Sequence, residues 1–229
     1  AAPIFGNGPD LIVGDRVARS ISILRNDGEG GFDQGREDIF IGHDIAAIHA
    51  MDLDADADVD IVVSNGSGAS ITLLFNSGLG SFNARISRAV GSRAGALRGG
   101  NLNPDGRGDL VIANPDVGTV SVLLNSRDGR FSNLRQDYSV GSQPVDLAIL
   151  DYDADGDNDI LTANFGSLDI SILQNDGLGN FPDPPLRVAT GVRPVALALS
   201  DLSADEFSDL VVVGESEPYV VFLENEAVF

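Results

Sequence analysis

One pattern, returning about every fifty residues, constrains this chain more than anything else in it. Asp10, Asp60, Asp109, Asp159 and Asp209 each stand before a short apolar run, and Phe32, Phe82, Phe131 and Phe181 keep the same beat. A fixed period of that length means that one small unit is built several times and buries its apolar faces against its own copies. Within a period the order is constant: an alternating apolar segment, an acidic loop, a β-rich run, a variable polar loop, a second β-rich run, and a turn of the form Asn-x-Gly-x-Gly-x-Phe. One unit reads PVDLAIL (144–150), DYDADGDND (151–159), ILTAN (160–164) and DISILQN (169–175), then the Gly-rich turn to Phe181.

These runs are too short and too rich in β-branched residues for helices, so each unit supplies four short strands. About fifty residues in four strands is the size of one propeller blade, and radial repetition protects sheet edges. A parallel β-helix needs a shorter period, and a β-sandwich does not repeat its sequence at blade length. The expected fold is therefore all-β: a β-propeller of four-stranded blades, five in number with an incomplete closing blade. The chain reads as a single domain over 1–229, with repeat periods at about 10–59, 60–108, 109–158, 159–208 and a partial 209–229. Aligning the units leaves the first without its opening strand and the last without its fourth, about 18 strands where five closed blades need 20. Either the ring has an incomplete closing blade, or it closes with another chain.

Thirty-five acidic against 14 basic residues give a formal charge of −21. Such a surface repels nucleic acid and anionic membrane and attracts cations. The apolar runs argue against disorder. No apolar run reaches the roughly eighteen residues of a membrane-spanning helix. The absence of cysteine removes disulfides and thiolate chemistry without fixing a compartment. Ala1-Ala2-Pro3 fits either the remnant of a cleaved leader or an arbitrary boundary.

Nearly half of the acidic residues fall in four loops, DLDADADVD (52–60), NLNPDGRGD (101–109), DYDADGDND (151–159) and DLSADEFSD (201–209). Side-chain oxygens recur at positions 1, 3, 5 and 9, and position 7 can lend a carbonyl. Alternating oxygens on a tight turn suit a calcium ion, which takes six to eight oxygen ligands. The candidate ligands are Asp52, Asp54, Asp56, Asp58 and Asp60; Asn101, Asn103, Asp105, Arg107 and Asp109; Asp151, Asp153, Asp155, Asp157 and Asp159; and Asp201, Ser203, Asp205, Phe207 and Asp209. Position 12 is Val63, Ile112, Thr162 or Val212 rather than the bidentate Glu of an EF-hand. Magnesium fits less well, because it keeps several waters. Asp and Asn are also ordinary turn formers, but four such clusters repel themselves without a cation. The expectation is three calcium sites, with the less charged loop at 101–109 binding more weakly than the others, and a fourth, marginal site at 201–209. Ala57 takes the place of the Gly that the sixth position favours, which implies a strained or altered turn.

The signature D-x-[DN]-x-D-G-x-x-D before an apolar strand, followed by NDGEGGF (26–32), NSGLGSF (76–82), NSRDGRF (125–131) or NDGLGNF (175–181), resembles the FG-GAP or VCBS repeats of the integrin α-subunit propeller and of many extracellular bacterial proteins. The resemblance covers nearly the whole chain. It implies a propeller with calcium loops between the first and second strands of a blade, and an extracellular, secreted setting. It implies no single activity, since relatives include adhesion domains, lectins and polysaccharide-cleaving enzymes.

The loops at the other end of the strands vary between repeats, and variable positions on a rigid scaffold are where binding is sought. Arg16, His43, Arg93 and Arg193 lie there and could hold a carboxylate or sulfate; solvated loop charge is the plainer account. His49 and Arg98 occupy equivalent positions on predicted first strands, either lining a central channel or packed there. No nucleophilic cysteine, zinc-type histidine cluster or other convincing catalytic constellation is visible, so no enzyme is expected. The expected role is an extracellular calcium-binding module for adhesion or binding of a protein or polysaccharide, with structural calcium, no nucleic acid partner and no membrane insertion. The alternatives are a calcium-dependent lectin and a propeller lyase or hydrolase acting on an anionic polysaccharide.

Overall fold

A computed structural model describes residues 4–5, 8–33, 35–78, 80–126, 128–131, 135–182, 184–200, 202–203, 208–215 and 220–223. Eighteen strands and no helix are present among them. They form five antiparallel sheets in chain order: β1 (Leu11–Asp15), β2 (Ser20–Leu24) and β3 (Arg36–Phe40); β4 (Ile45–Met51), β5 (Asp60–Asn65), β6 (Ser70–Phe75) and β7 (Ala84–Ala89); β8 (Leu97–Gly100), β9 (Asp109–Asn114), β10 (Thr119–Leu123) and β11 (Gln136–Ser139); β12 (Pro144–Leu150), β13 (Asp159–Asn164), β14 (Asp169–Leu173) and β15 (Leu186–Ala189); β16 (Pro194–Ser200), β17 (Asp209–Gly214) and β18 (Val220–Leu223). Each sheet is an up-and-down meander pairing consecutive strands, as in propeller blades.

The burial gradient across a blade follows from its neighbours. Second strands β5, β9 and β13 are buried along their whole length, because a sheet lies against each of their faces. Fourth strands β7, β11 and β15 alternate exposed and half-buried residues at the rim. Successive side chains leave opposite faces of a strand, so each blade carries one apolar row toward the preceding sheet and one toward the following sheet. Ile12, Ile21 and Ile23 of the first sheet pack on Ile61, Val63 and Leu74 of the second. Val62, Ile71 and Leu73 of the second pack on Leu110 and Ile112 of the third. Val111, Val120 and Val122 then meet Ile160 and Leu173, and Leu161, Ile170 and Ile172 meet Leu210 and Val212. Four apolar cores thus join five sheets in series, and no such core joins the fifth sheet to the first among the described residues.

Among the described residues the first sheet has no strand paired on the inner side of β1, where β5, β9, β13 and β17 pair with β4, β8, β12 and β16, and the fifth sheet has three strands. The loop between first and second strands lies at the same end of the blade as the Gly-rich turn between third and fourth strands. The loops joining second to third strands and sheet to sheet lie at the other end.

Candidate metal centres

The most regular acid of the repeat holds the fold together. Asp60 is buried; its Oδ2 accepts the N–H of Leu53 at 2.8 Å and its Oδ1 accepts the N–H of Asn76 at 2.7 Å, so it ties the acidic loop to the Gly-rich turn. Asp109 does the same with Leu102 and Asn125 at 2.9 and 2.7 Å, and Asp159 with Tyr152 and Asn175 at 3.0 and 2.7 Å. Asp209 accepts from Leu202 and Ser203 at 2.8 and 3.1 Å. Asp10 keeps the clamp, accepting from Ile4, Phe5 and Asn26 at 2.9, 3.0 and 2.9 Å, although its loop has lost the other acids. Burial pushes the carboxyls of Asp60, Asp109 and Asp159 up to about 6, against the lowering effect of their amide donors; neighbouring loop carboxylates add to the rise.

Two loops bring further carboxylates to that clamp. Ligand oxygens of Asp52, Asp54 and Asp60 all lie within 4.8 Å of one another, as do those of Asp151, Asp153 and Asp159. The loops curl because their first carboxylate caps the turn. Asp52 accepts the N–H groups of Ala55 and Ala57 at 2.8 and 3.0 Å, and Asp151 those of Asp155 and Gly156 at 3.2 and 3.0 Å. Asp54 Oδ1 is buried with no hydrogen-bond partner. Burial raises the carboxyl of Asp54, and the charges of Asp56 and Asp52 raise it further. An unpartnered buried oxygen among three converging carboxylates fits a hard cation, with Asp52, Asp54 and Asp60 as holders of one ion and Asp151, Asp153 and Asp159 of another. The expected strain at the sixth position is present: Ala57 has φ 74°, beside 73° and 95° for Gly106 and Gly156.

The remaining candidates are placed differently. Asp56 and Asp155 are exposed, and each accepts an amide two residues on, from Asp58 and Asp157 at 2.9 Å. Asp58 and Asp157 lie over Gly78 and Gly177 of the Gly-rich turns. In 101–109 the only carboxylates are Asp105 and Asp109, and Arg107 forms an ion pair with Asp105 at 3.4 Å, so this loop carries its own cation. Asn103 accepts the N–H of Asp105, while the carbonyl of Asn101 accepts from Asn158 at 2.8 Å. Pro104 also bars the left-handed turn that Ala55 and Ala154 make at φ 65° and 61°. In the fourth loop Asp201, Asp205 and Phe207 lie outside the described residues, and Ser203 contributes its N–H to Asp209.

At the opposite end Arg16, His43, Arg93 and Arg193 are all exposed and sit on different blades. Arg93 pairs with Asp116 at 3.0 Å, and the Arg193 guanidinium lies 5.1 Å from the centre of the Phe165 ring. A groove of about 760 Å³ between the third and fourth sheets is lined by Arg93, Asp116, Ser139, Ser142 and Gln143; Arg16, His43 and Arg193 lie outside it. Gln143 is held at φ 54° there. On the inner strands, Arg98 Nη2 donates to Asp146 Oδ1 at 2.9 Å, and Asp146 Oδ2 accepts the N–H of Leu197 at 3.0 Å, linking β8, β12 and β16. Burial, and then the Arg98 charge, lowers the pKa of His49. Asp146 was not singled out from the sequence, although a lone acid inside an otherwise apolar strand could have marked it.

Residues 101–162 and 151–212 match the model of the FG-GAP-like repeat. No curated protein matches the chain. Among solved structures, the chain is similar to BBS1N in its complex with ARL6DN, at TM-score 0.65 and 14% identity over 92% of this chain and 60% of that one. It is similar to a virginiamycin B lyase from Staphylococcus aureus, at TM-score 0.59 and 14% identity over 96% of this chain and 67% of that one. A lectin from Agrocybe aegerita that recognises non-reducing terminal N-acetylglucosamine aligns at TM-score 0.54 and 22% identity, over 79% of this chain and 48% of the lectin. The chain thus spans about 60% of the length of the BBS1N structure. Likeness at these identities shows a propeller-like fold.

Proposed function

The chain carries FG-GAP-like repeats over residues 101–162 and 151–212, and on that premise we propose that it is an extracellular calcium-binding propeller module that binds a protein or polysaccharide and is not an enzyme. The carboxylate triads at Asp52, Asp54 and Asp60 and at Asp151, Asp153 and Asp159 carry this reading. In it calcium is structural: the ion neutralises oxygens that otherwise repel one another and fixes each loop against the Gly-rich turn of its own blade. Thermal unfolding in excess calcium and in chelator, with native mass spectrometry to count ions, is the test. Two ions on these loops and a higher melting temperature in calcium support the reading; equal melting temperatures and no bound ion overturn it.

The groove at Arg93 favours a polar, extended ligand. Ser139, Ser142 and Gln143 offer hydroxyl and amide groups, and Arg93 offers a guanidinium, on a face free of the metal loops. A polysaccharide fits this chemistry, and the similar lectin recognises a sugar, while the similar BBS1N binds a protein partner. A glycan array with and without calcium separates a calcium-dependent lectin from a protein-binding module. Turnover of uronic acid polymers would instead indicate the lyase or hydrolase.

A further inference from the structure

We infer that Gln174 is a positioning residue of the centre at 151–159: it orders Asp153 before a cation arrives and so sets the calcium affinity of that loop. The inference rests on the calcium reading proposed above. It adds to that reading a residue that lies outside the acidic loop and outside the repeating pattern.

The three acids of this centre are held from different parts of the blade. Asp159 begins β13, and its two oxygens accept the N–H groups of Tyr152 and Asn175. Asp151 is held within the loop by the N–H groups of Asp155 and Gly156. Asp153 is exposed and is held from outside the loop, where Gln174 Nε2 donates to its Oδ2 at 2.6 Å. Gln174 directly follows β14, and the next residue, Asn175, gives its N–H to Asp159 Oδ1 at 2.7 Å. Two consecutive residues at the end of one strand thus fix two of the three carboxylates whose oxygens converge within 4.8 Å. A partner behind a ligating side chain fixes its orientation, so that less freedom is lost when the ion binds.

The sister centre shows the arrangement without such a partner. The residue just before the repeating Asn is Gln174 in the fourth sheet, Phe75 in the second and Leu124 in the third. Phe75 is buried in the core with Leu53 and Leu73 and offers no hydrogen bond, and Asp54, the counterpart of Asp153, keeps its Oδ1 buried without a partner. Leu124 packs on the core between the third and fourth sheets, beside a loop that carries Asn103 in place of the acid. Of the three, only Gln174 has a side-chain donor, and it is spent on the exposed acid of the triad.

Calcium titration calorimetry of the full chain carrying Asp54→Ala, which removes the sister site, isolates the centre at 151–159. Gln174→Leu is then added to that background. Leucine is the residue that the third sheet carries at this place, so the strand accommodates it. Both proteins are expected to bind a single ion, with an affinity lower by about tenfold or more in the Gln174→Leu protein. The melting temperature in chelator is expected to stay unchanged, because the hydrogen bond is exposed. Equal affinities, or a tighter one with Gln174→Leu, overturn the inference and leave the calcium reading in place. A melting temperature that falls as far in chelator as in calcium assigns Gln174 to the fold and overturns it as well. If Asp54→Ala alone binds no calcium although 151–159 is intact, the calcium reading fails and the inference fails with it.

Discussion

Asn125 Nδ2 donates to the carbonyl of Leu53 at 2.7 Å, joining the Gly-rich turn of the third sheet to the acidic loop of the second. The same amide reaches Gly108 of its own loop at 3.2 Å, and its Oδ1 accepts the N–H of Gly129. Asn175 repeats the arrangement toward Leu102 and Asn158, both at 2.8 Å. Asn125 and Asn175 are therefore clips between blades, whereas Asn26 and Asn76 donate to Pro9 and Val59 of their own blades. Asn125→Ala strands several buried backbone groups, each costing about 1–3 kcal/mol when unsatisfied. The expected outcome is a loss of that order or more in chemical denaturation, with and without calcium, because the clip does not depend on a cation.

Ligand and clamp separate by substitution within one triad. Asp54 has an oxygen with no partner, whereas both oxygens of Asp60 hold amides. Asp54→Ala should abolish the calcium-dependent rise in melting temperature from its site while leaving stability in chelator unchanged or raised, since a repelled buried carboxylate has gone. Asp60→Ala should lower stability under both conditions. Calcium at a hundredfold excess over Kd stabilises by about 2.7 kcal/mol per site, and calorimetry in calcium and in chelator reads the difference directly.

These two cases show what the sequence could and could not disclose. Blades, strand number and the inward rows were legible because a strand buried on two faces leaves a continuous apolar run, and a period of about fifty residues sets four such strands per unit. The roles inside the loops were not. An acid at position 9 suits both a cation and two backbone amides, so the pattern alone did not disclose the clamp that Asp60, Asp109 and Asp159 share. Arg107 offered the same ambiguity. Position 7 suggests a carbonyl ligand, and spacing says nothing of its side chain, whose guanidinium pairs with Asp105 through the curvature of the loop.

Ala57 is an L-residue at φ 74°, where Gly106 and Gly156 stand in the sister loops. The left-handed conformation costs a residue with a Cβ roughly 1–2 kcal/mol, offset in part by the greater chain entropy that Gly loses on folding. Ala57→Gly is therefore expected to stabilise the chain by about 0.5–1 kcal/mol. The gain should appear in urea denaturation in chelator. A loss would mean that the methyl of Ala57 contributes packing that outweighs the relieved strain.

The three buried clamps make stability depend on pH in a direction that calcium reverses. Asp60, Asp109 and Asp159 have folded pKa values near 6, above the ordinary 3.8, so folding favours their protonated forms. Their contribution to stability is full below the unfolded value and is lost as pH rises through the folded one. Metal-free protein should therefore melt higher at pH 5 than at pH 7.5, helped by relief of the repulsion among its 35 acidic residues. Bound calcium requires ionised carboxylates, and protons compete with it at Asp60 and Asp159. In excess calcium the order should invert, with the higher melting temperature at pH 7.5 and the calcium-induced shift shrinking as pH falls through about 6. Melting curves at both pH values, in calcium and in chelator, decide it: parallel pH dependences under the two conditions would remove the cation from these clamps.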